Sequence, residues 1–96
     1  MLKIKIQTRA LHTMDRVSAW YRIHMGETAA QSFVQGIRST IDLLARMPTI
    51  GTIDERLSKS GIKFYSFLSH PKYRVVYRFT KQTLYIVAIR ITLMEH

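Results

Sequence analysis

Two consecutive amphipathic segments, separated by a single helix-breaking residue, constrain the fold of this chain most strongly. The first spans about residues 8–25, with Thr8 as its N-cap, and the second spans about residues 27–47. In both segments apolar side chains recur at three- and four-residue steps, which is the spacing of one helix face. Gly26 separates the segments and Pro48 ends the second. The pattern predicts an antiparallel helical hairpin whose shared apolar stripe must be covered by the rest of the chain.

Four shorter segments with β-strand character can provide this cover. Leucine and isoleucine alternate with lysine over residues 2–6, and three later runs, at 62–68, 73–79 and 83–91, are rich in β-branched and aromatic residues. Residues 48–61 contain turn formers and charges, which predicts a surface loop with at most one short helical turn. The element order is therefore β-α-α-β-β-β. This order predicts an α+β fold with an antiparallel sheet and the helical hairpin packed on one face.

Length and composition predict a single domain over residues 1–96 in the cytoplasm. A chain of 96 residues with 47% hydrophobic composition suits one compact core. It has no cysteine, so disulfide bonds and thiolate metal sites are excluded. No apolar run approaches the roughly 20 residues that span a bilayer, and we expect no membrane partner.

The charge balance predicts an anionic partner. Fifteen lysines and arginines oppose six acidic residues, giving a net charge of +9. A field of this sign steers a protein toward anions. Nucleic acid, the ribosome and an acidic protein all fit, and charge alone does not distinguish them.

The usual signatures of small-molecule enzymes are missing from the sequence. The acidic residues are scattered, and only Asp54 and Glu55 are adjacent, in the predicted surface loop. The four histidines show no metal-ligand spacing such as HxxxH, and there is no glycine-rich phosphate loop or nucleophile elbow. We therefore expect no metal and no cofactor.

Basic residues are concentrated in the C-terminal half of the chain. A two-residue hairpin loop at residues 81–82 would pair Phe79 with Leu84 and Tyr73 with Arg90. The basic residues of this half are Lys59, Lys63, Lys72, Arg74, Arg78, Lys81 and Arg90.

In this uninterrupted register Arg74 and Arg78 share one sheet face, and Arg90 lies on the other with Tyr73 and Tyr77. The arginine face would be solvent-facing or, because it is unusually apolar, a surface that another protein or RNA covers. The apolar residues that the register contributes to this face are Val76, Val87, Ile89 and Ile91.

The second helix and the turn after it carry a recognisable spacing. The positions are Ala30, Phe33, Ile37, Ile41, Leu44, Pro48 and Gly51, followed by YRVVYR at 73–78 and IRI at 89–91. They resemble the A..F...I...I..L...P..G pattern of the ParE-like branch of the RelE/ParE superfamily of type II toxin–antitoxin toxins. The resemblance covers nearly the whole chain. It implies a compact toxin that an extended, often acidic antitoxin wraps and neutralises, with DNA contacted only through that antitoxin.

Two activities occur in this superfamily, and they require different residues. RelE-like members cut mRNA in the ribosomal A site, and ParE-like members poison DNA gyrase. In an ungapped comparison anchored on YRVVY, only Arg74 matches a basic catalytic position of the RNA cleavers. Tyr65 and Phe67 stand at the two lysine positions and Met94 at the C-terminal arginine position. RNA cleavage would then need a substitute, which could be Lys63, Arg78, Arg90 or His96.

The resemblance therefore favours a ParE-like protein-binding inhibitor with a cognate antitoxin as partner and DNA gyrase as candidate target. The alternatives are a ribosome-dependent mRNA endonuclease that uses Arg74, and a basic binding module without toxicity. The candidate residues for contact with target or antitoxin are Lys63, Lys72, Arg74, Arg78 and Arg90.

Overall fold

The computed structural model describes residues 1–59, 61–70 and 73–91. Within these residues the helices and strands follow the predicted order, with one short strand added. The helices are α1 (Thr8–Met25) and α2 (Glu27–Arg46), and the strands are β1 (Lys3–Ile6), β2 (Thr52–Ile53), β3 (Tyr65–His70), β4 (Tyr73–Phe79) and β5 (Thr83–Ile91).

The helical hairpin is confirmed, and its ends have simple local causes. Gly26 takes a φ of 99°, a conformation that residues with a Cβ rarely adopt, and its N–H donates to the Tyr21 carbonyl at 3.0 Å. The N-cap of α1 is Gln7 rather than Thr8, and Thr8 is the first residue of the helix. Pro48 follows the end of α2 and starts a single 3₁₀ turn, Pro48–Ile50.

The strands form one five-stranded sheet in the order β1-β5-β4-β3-β2. The predicted β3-β4-β5 meander is present, and every pairing is antiparallel except that of β1 with β5. A parallel pair requires a long crossover connection, and the helices and the meander between β1 and β5 provide it. The extra strand β2 lies in the segment predicted as a loop, where two residues pair with the start of β3.

A β-bulge changes the predicted register between β4 and β5. Phe79 pairs with Leu84 as predicted, and Tyr77 pairs with Ile86. Val76, however, pairs with Ala88 rather than with Val87, because Val87 is an extra residue on β5. From this point to the end of β5 every pairing is displaced by one residue, so each β5 side chain changes face relative to the prediction.

The core lies between the helical hairpin and one sheet face. Ile89 packs in this core and Ile91 packs against it. The prediction that they lie on the arginine face is therefore wrong, because the bulge at Val87 turns both side chains to the helix side of the sheet. The buried residues of the core cluster are Ala10, Met14, Val17, Phe33, Ile37, Ile41, Leu44, Ala45, Tyr73, Val75, Tyr77, Leu84, Ile86 and Ile89.

Tyr77 links this core to the turn that follows α2. Its hydroxyl donates to the Pro48 carbonyl at 2.7 Å and accepts the Gly51 N–H at 3.1 Å. A Cβ on Gly51 would collide with the same hydroxyl and would lie 2.9 Å from the Ser66 carbonyl oxygen. The proline and glycine of the sequence pattern are therefore the two points at which the turn is attached to β4.

Within the described residues, neither helix combines the length and the apolar character that crossing a membrane requires.

Candidate functional site

Three arginines lie on the outer face of the sheet, which is the face turned away from the helices. Arg74 and Arg78 alternate on β4 with the core residues, and Arg90 of β5 stands directly opposite Arg74. The prediction that Arg90 shares a face with Tyr73 and Tyr77 is wrong, because the bulge at Val87 turns Arg90 outward. The fold thus brings Arg74 and Arg90 together.

The Arg74–Arg90 pair has no acidic partner among the described residues. The Arg74 guanidinium Nη1 donates to Ser66 Oγ on β3 at 3.2 Å, and Ser66 is buried. The ion pair in the described part of the chain joins Arg22 to Glu27, between the two helices. Like charges directly opposite on neighbouring strands repel each other. An anion placed between the two arginines would relieve that repulsion.

A hollow of about 500 Å³ adjoins the pair, and the loop after β2 forms its other wall. Asp54 and Glu55 lie there as predicted surface residues, together with Arg56. The Asp54 carboxylate accepts the backbone N–H groups of Arg56 at 3.1 Å and Leu57 at 3.3 Å, which closes a turn of the loop. Asp54 therefore has a structural role, whereas Glu55 is exposed.

Lys63 and Arg78 come together in a different place. They line a separate hollow of about 330 Å³ with Phe79 and Thr80. The Arg78 guanidinium carbon lies 4.0 Å from the centroid of the Tyr85 ring, a cation–π contact that holds this arginine against the sheet. Four of the candidate residues therefore form two pairs, and Lys72 lies outside the described residues.

The two β3 residues at the lysine positions of the RNA cleavers point away from the arginines. Tyr65 and Phe67 pack against the core cluster, and the Tyr65 ring stacks on Tyr77 with centroids 5.6 Å apart. On the outer side β3 presents Ser66 and Leu68. Met94 and His96, the other positions in that comparison, lie outside the described residues.

The described residues bring no three histidine or acidic side chains close enough to hold a metal ion. His12 lines a hollow beside α1, and the His24 ring lies 4.7 Å from the Trp20 ring. The two histidines therefore lie in different surroundings.

Two residues of the site were not singled out from the sequence. Ser66 alternates with Tyr65 and Phe67, so strand periodicity alone could have placed it on the sheet face opposite to these two aromatic residues. Arg56 lies in a loop without periodicity, and no sequence signal connects it to β4 or β5.

Comparisons with known proteins agree with this fold. A family model described as the ParE toxin of type II toxin-antitoxin system, parDE, matches residues 4–95. A structure of the chromosomal ParDE toxin–antitoxin system from P. aeruginosa is similar with a TM-score of 0.72 and 19% identity, over 95% of this chain and 96% of that chain. A YoeB dimer from Staphylococcus aureus is similar with a TM-score of 0.62 and 16% identity, over 93% and 94%. No curated protein sequence matches significantly.

At such low identities the two structures show the shared fold alone, and the family model is the stronger finding. It covers the pattern on α2, the turn at Pro48 and Gly51, and strands β3 to β5. The resemblance to the ParE-like branch is thereby confirmed: the chain belongs to the ParE toxin family and is a toxin of a type II toxin–antitoxin system.

Proposed function

We propose that this toxin acts by binding a protein target, DNA gyrase, and that a cognate antitoxin neutralises it. The observation that carries the proposal is the orientation of β3. The positions that hold lysines in RNA cleavers are Tyr65 and Phe67, and both side chains are partly buried and pack against the core cluster. Neither side chain can supply the positive charge that would stabilise a cleaved phosphate from this strand.

The outer face suits contact with an acidic protein surface. Arg74, Arg78 and Arg90 are partly exposed around a buried floor that includes Val76 and Ala88. Arginine can form paired hydrogen bonds with carboxylates, and it is enriched in protein interfaces. We propose that Arg74 and Arg90 contact the target together and that Lys63 and Arg78 form a second contact with it.

The antitoxin is proposed from the ParDE system to which the fold is similar and from charge. With a net charge of +9, the chain would attract an acidic polypeptide at a rate that falls as salt is added. The toxin would then act in the cytoplasm, and its link to DNA would pass through the antitoxin alone.

Induced expression in a bacterium tests the activity. If gyrase is the target, plasmid DNA should lose negative supercoiling and growth should stop, while mRNA stays uncut at ribosomal positions. The Arg74→Ala, Arg90→Ala double variant should restore growth and supercoiling. Unaffected growth with the folded wild-type chain would contradict the proposal and favour a basic binding module without toxicity.

One observation supports a second candidate function, cleavage of mRNA on the ribosome. Arg74 and Arg90 face each other in a hollow that also contains the exposed carboxylate of Glu55. Two arginines can bind a phosphate, and a carboxylate can accept a proton. If this is the activity, primer extension should map cuts at ribosomal codon positions, and both Arg74→Ala and Glu55→Gln should abolish them.

A further inference from the structure

The pairing between β3 and β4 stops before β4 ends. The last pair on this side joins Tyr65 to Tyr77, and β4 continues to Phe79. Before Tyr65 the chain forms a turn instead, in which the Ile62 N–H donates to the Lys59 carbonyl at 3.0 Å. A hollow of about 330 Å³ opens between this turn and the end of β4. We refer to it as the β3–β4 hollow.

Four hydrogen-bond donors line the β3–β4 hollow, and two of them are cations. Lys63 is exposed, and Arg78 is held in place by its contact with the Tyr85 ring. Thr80 Oγ1 accepts two backbone N–H groups of the hairpin loop, at 3.1 and 3.3 Å, so its own O–H can donate to a ligand. The Tyr65 hydroxyl makes no hydrogen bond with the described residues. None of the described residues that line the hollow is acidic, so this set of donors suits an anion.

The remaining walls of the hollow are apolar and largely aromatic. The Tyr65 and Phe79 rings are both partly buried, and their centroids lie 5.1 Å apart. Ile62 lines the hollow from the turn and is 49% exposed. The volume of about 330 Å³ lies at the lower end of the range for small-molecule sites, roughly 300–1,000 Å³. The hollow therefore suits one small molecule that joins an apolar ring to an anionic group.

A phosphate monoester matches these donors better than a carboxylate does. At neutral pH it carries a charge of about −1.5 to −2 and offers three acceptor oxygens, whereas a carboxylate carries one charge and two oxygens. Two cations and two hydroxyl groups can satisfy the larger anion in both charge and hydrogen bonds. Flat heteroaromatic rings stack on tyrosine and phenylalanine, and every nucleobase has such a ring. A nucleoside monophosphate combines the two parts.

We propose that the β3–β4 hollow binds a free nucleoside monophosphate, with the phosphate at Lys63 and Arg78 and the base against Tyr65 and Phe79. The interior of a nucleic-acid strand suits the hollow less well, because each phosphodiester carries a single charge. This proposal goes beyond the proposed function. One consequence rests on that function: Lys63 and Arg78 are also the proposed second contact with the target, so nucleotide and target would compete for them.

Calorimetric titration of the purified chain tests the class of ligand. The probe is AMP, and its two parts, adenosine and inorganic phosphate, are the matched comparisons. AMP should bind at least about fivefold more tightly than either part, because the stacked base and the charged hydrogen bonds contribute together. Equal binding of AMP and inorganic phosphate, or of AMP and adenosine, would overturn the proposal.

Two further probes separate a nucleotide from other anions. N-acetylphenylalanine joins an aromatic ring to a carboxylate, and the dinucleotide ApA contains the same base but only a phosphodiester. Both should bind more weakly than AMP, since neither offers a doubly charged phosphate. Tighter binding of N-acetylphenylalanine would indicate a carboxylate ligand, and tighter binding of ApA would indicate a nucleic-acid strand. Either result would overturn the proposal.

Substitutions and chemical shifts test the location. Lys63→Gln and Arg78→Gln should each weaken AMP binding at least about tenfold, because each removes a charged donor. Lys81→Gln removes the same charge from the exposed hairpin loop outside the hollow, and it should change AMP binding by less than about twofold. Circular dichroism verifies that each variant is folded. In the wild-type chain, AMP should shift the amide signals of residues 61–63 and 79–80 most. Equal AMP binding by Lys63→Gln and Lys81→Gln, or larger shifts at the Arg74–Arg90 pair, would overturn the proposal.

These outcomes are independent of toxicity. If AMP binds in the β3–β4 hollow but expression of the chain does not stop growth, the nucleotide site stands and the proposed function fails. If growth stops but AMP does not bind, the toxin function stands and the nucleotide proposal is overturned.

Discussion

Replacing Tyr77 by phenylalanine removes one hydroxyl from the core and leaves the aromatic ring in place. Tyr77 is fully buried, and its hydroxyl bonds both the Pro48 carbonyl and the Gly51 N–H. A hydrogen bond of this kind contributes about 1 kcal/mol net, so losing the two lowers the free energy of unfolding by about 2 kcal/mol. The loss rises to about 4 kcal/mol if water fails to reach the two backbone groups.

Urea unfolding followed by circular dichroism measures this change in the free energy of unfolding. In a thermal melt, a loss of about 2 kcal/mol should lower the Tm by roughly 10 °C for a domain of this size. Tyr65→Phe is the matched control. Its ring stacks on Tyr77, but its hydroxyl makes no hydrogen bond with the described residues, so its effect should stay within about 0.5 kcal/mol. If Tyr77→Phe is as stable as Tyr65→Phe, the turn is not attached to β4 through this hydroxyl.

Three other variants or conditions test the account at separate places. Thermal unfolding should show that Gly51→Ala lowers the free energy of unfolding by about 1–3 kcal/mol, because the new Cβ collides with the Tyr77 hydroxyl. Gly36→Ala, whose Cβ would lie in open space on α2, should instead raise the free energy of unfolding by about 0.5–1 kcal/mol. Burial and the hydrogen bond that its hydroxyl shares with the Tyr21 hydroxyl raise the pKa of Tyr73, and burial raises the pKa of Tyr77. Tyrosine in the unfolded chain ionises near pH 10, so the contribution of these two protonated tyrosines to the free energy of unfolding is complete below that pH and is lost as the pH rises above it. In urea titrations between about pH 9 and 11, the free energy of unfolding of Tyr73→Phe should therefore fall less steeply with pH than that of the wild-type chain. Arg90→Ala should raise the free energy of unfolding at low salt by about 0.2–1 kcal/mol, because it removes one of two positive charges that lie directly opposite each other. The same variant should reduce growth inhibition. A lower free energy of unfolding would mean that Arg74 and Arg90 do not repel each other.

The helices can be predicted from sequence because their boundaries depend on local chemistry. Gly26 adopts a backbone conformation suited to glycine, and Pro48 cannot continue a helix. The order of β3, β4 and β5 in the sheet also follows, since a meander of three apolar runs needs only short connections. Local signals of this kind act over a few residues and do not require the rest of the fold.

The register of β5 cannot be predicted in the same way. Bulges are often marked by glycine, but the extra residue here is Val87, which has the composition of an ordinary strand residue. Its position depends on how Ile89 and Ile91 fit beneath the helices, a matter of packing among distant residues. For this reason sequence periodicity placed Arg74 correctly and Arg90 on the wrong face. The attachment of Gly51 to Tyr77 escapes prediction for the same reason, since the two residues meet only in the folded chain.

A supercoiling reaction with purified components tests the central claim most directly. Purified toxin is added to DNA gyrase with relaxed plasmid, and in parallel to ribosomes translating a defined mRNA. If DNA gyrase is the target, the toxin should inhibit supercoiling, the Arg74→Ala, Arg90→Ala variant should not, and the mRNA should stay intact. Unimpaired gyrase together with cuts in the mRNA that require Arg74 would contradict this claim.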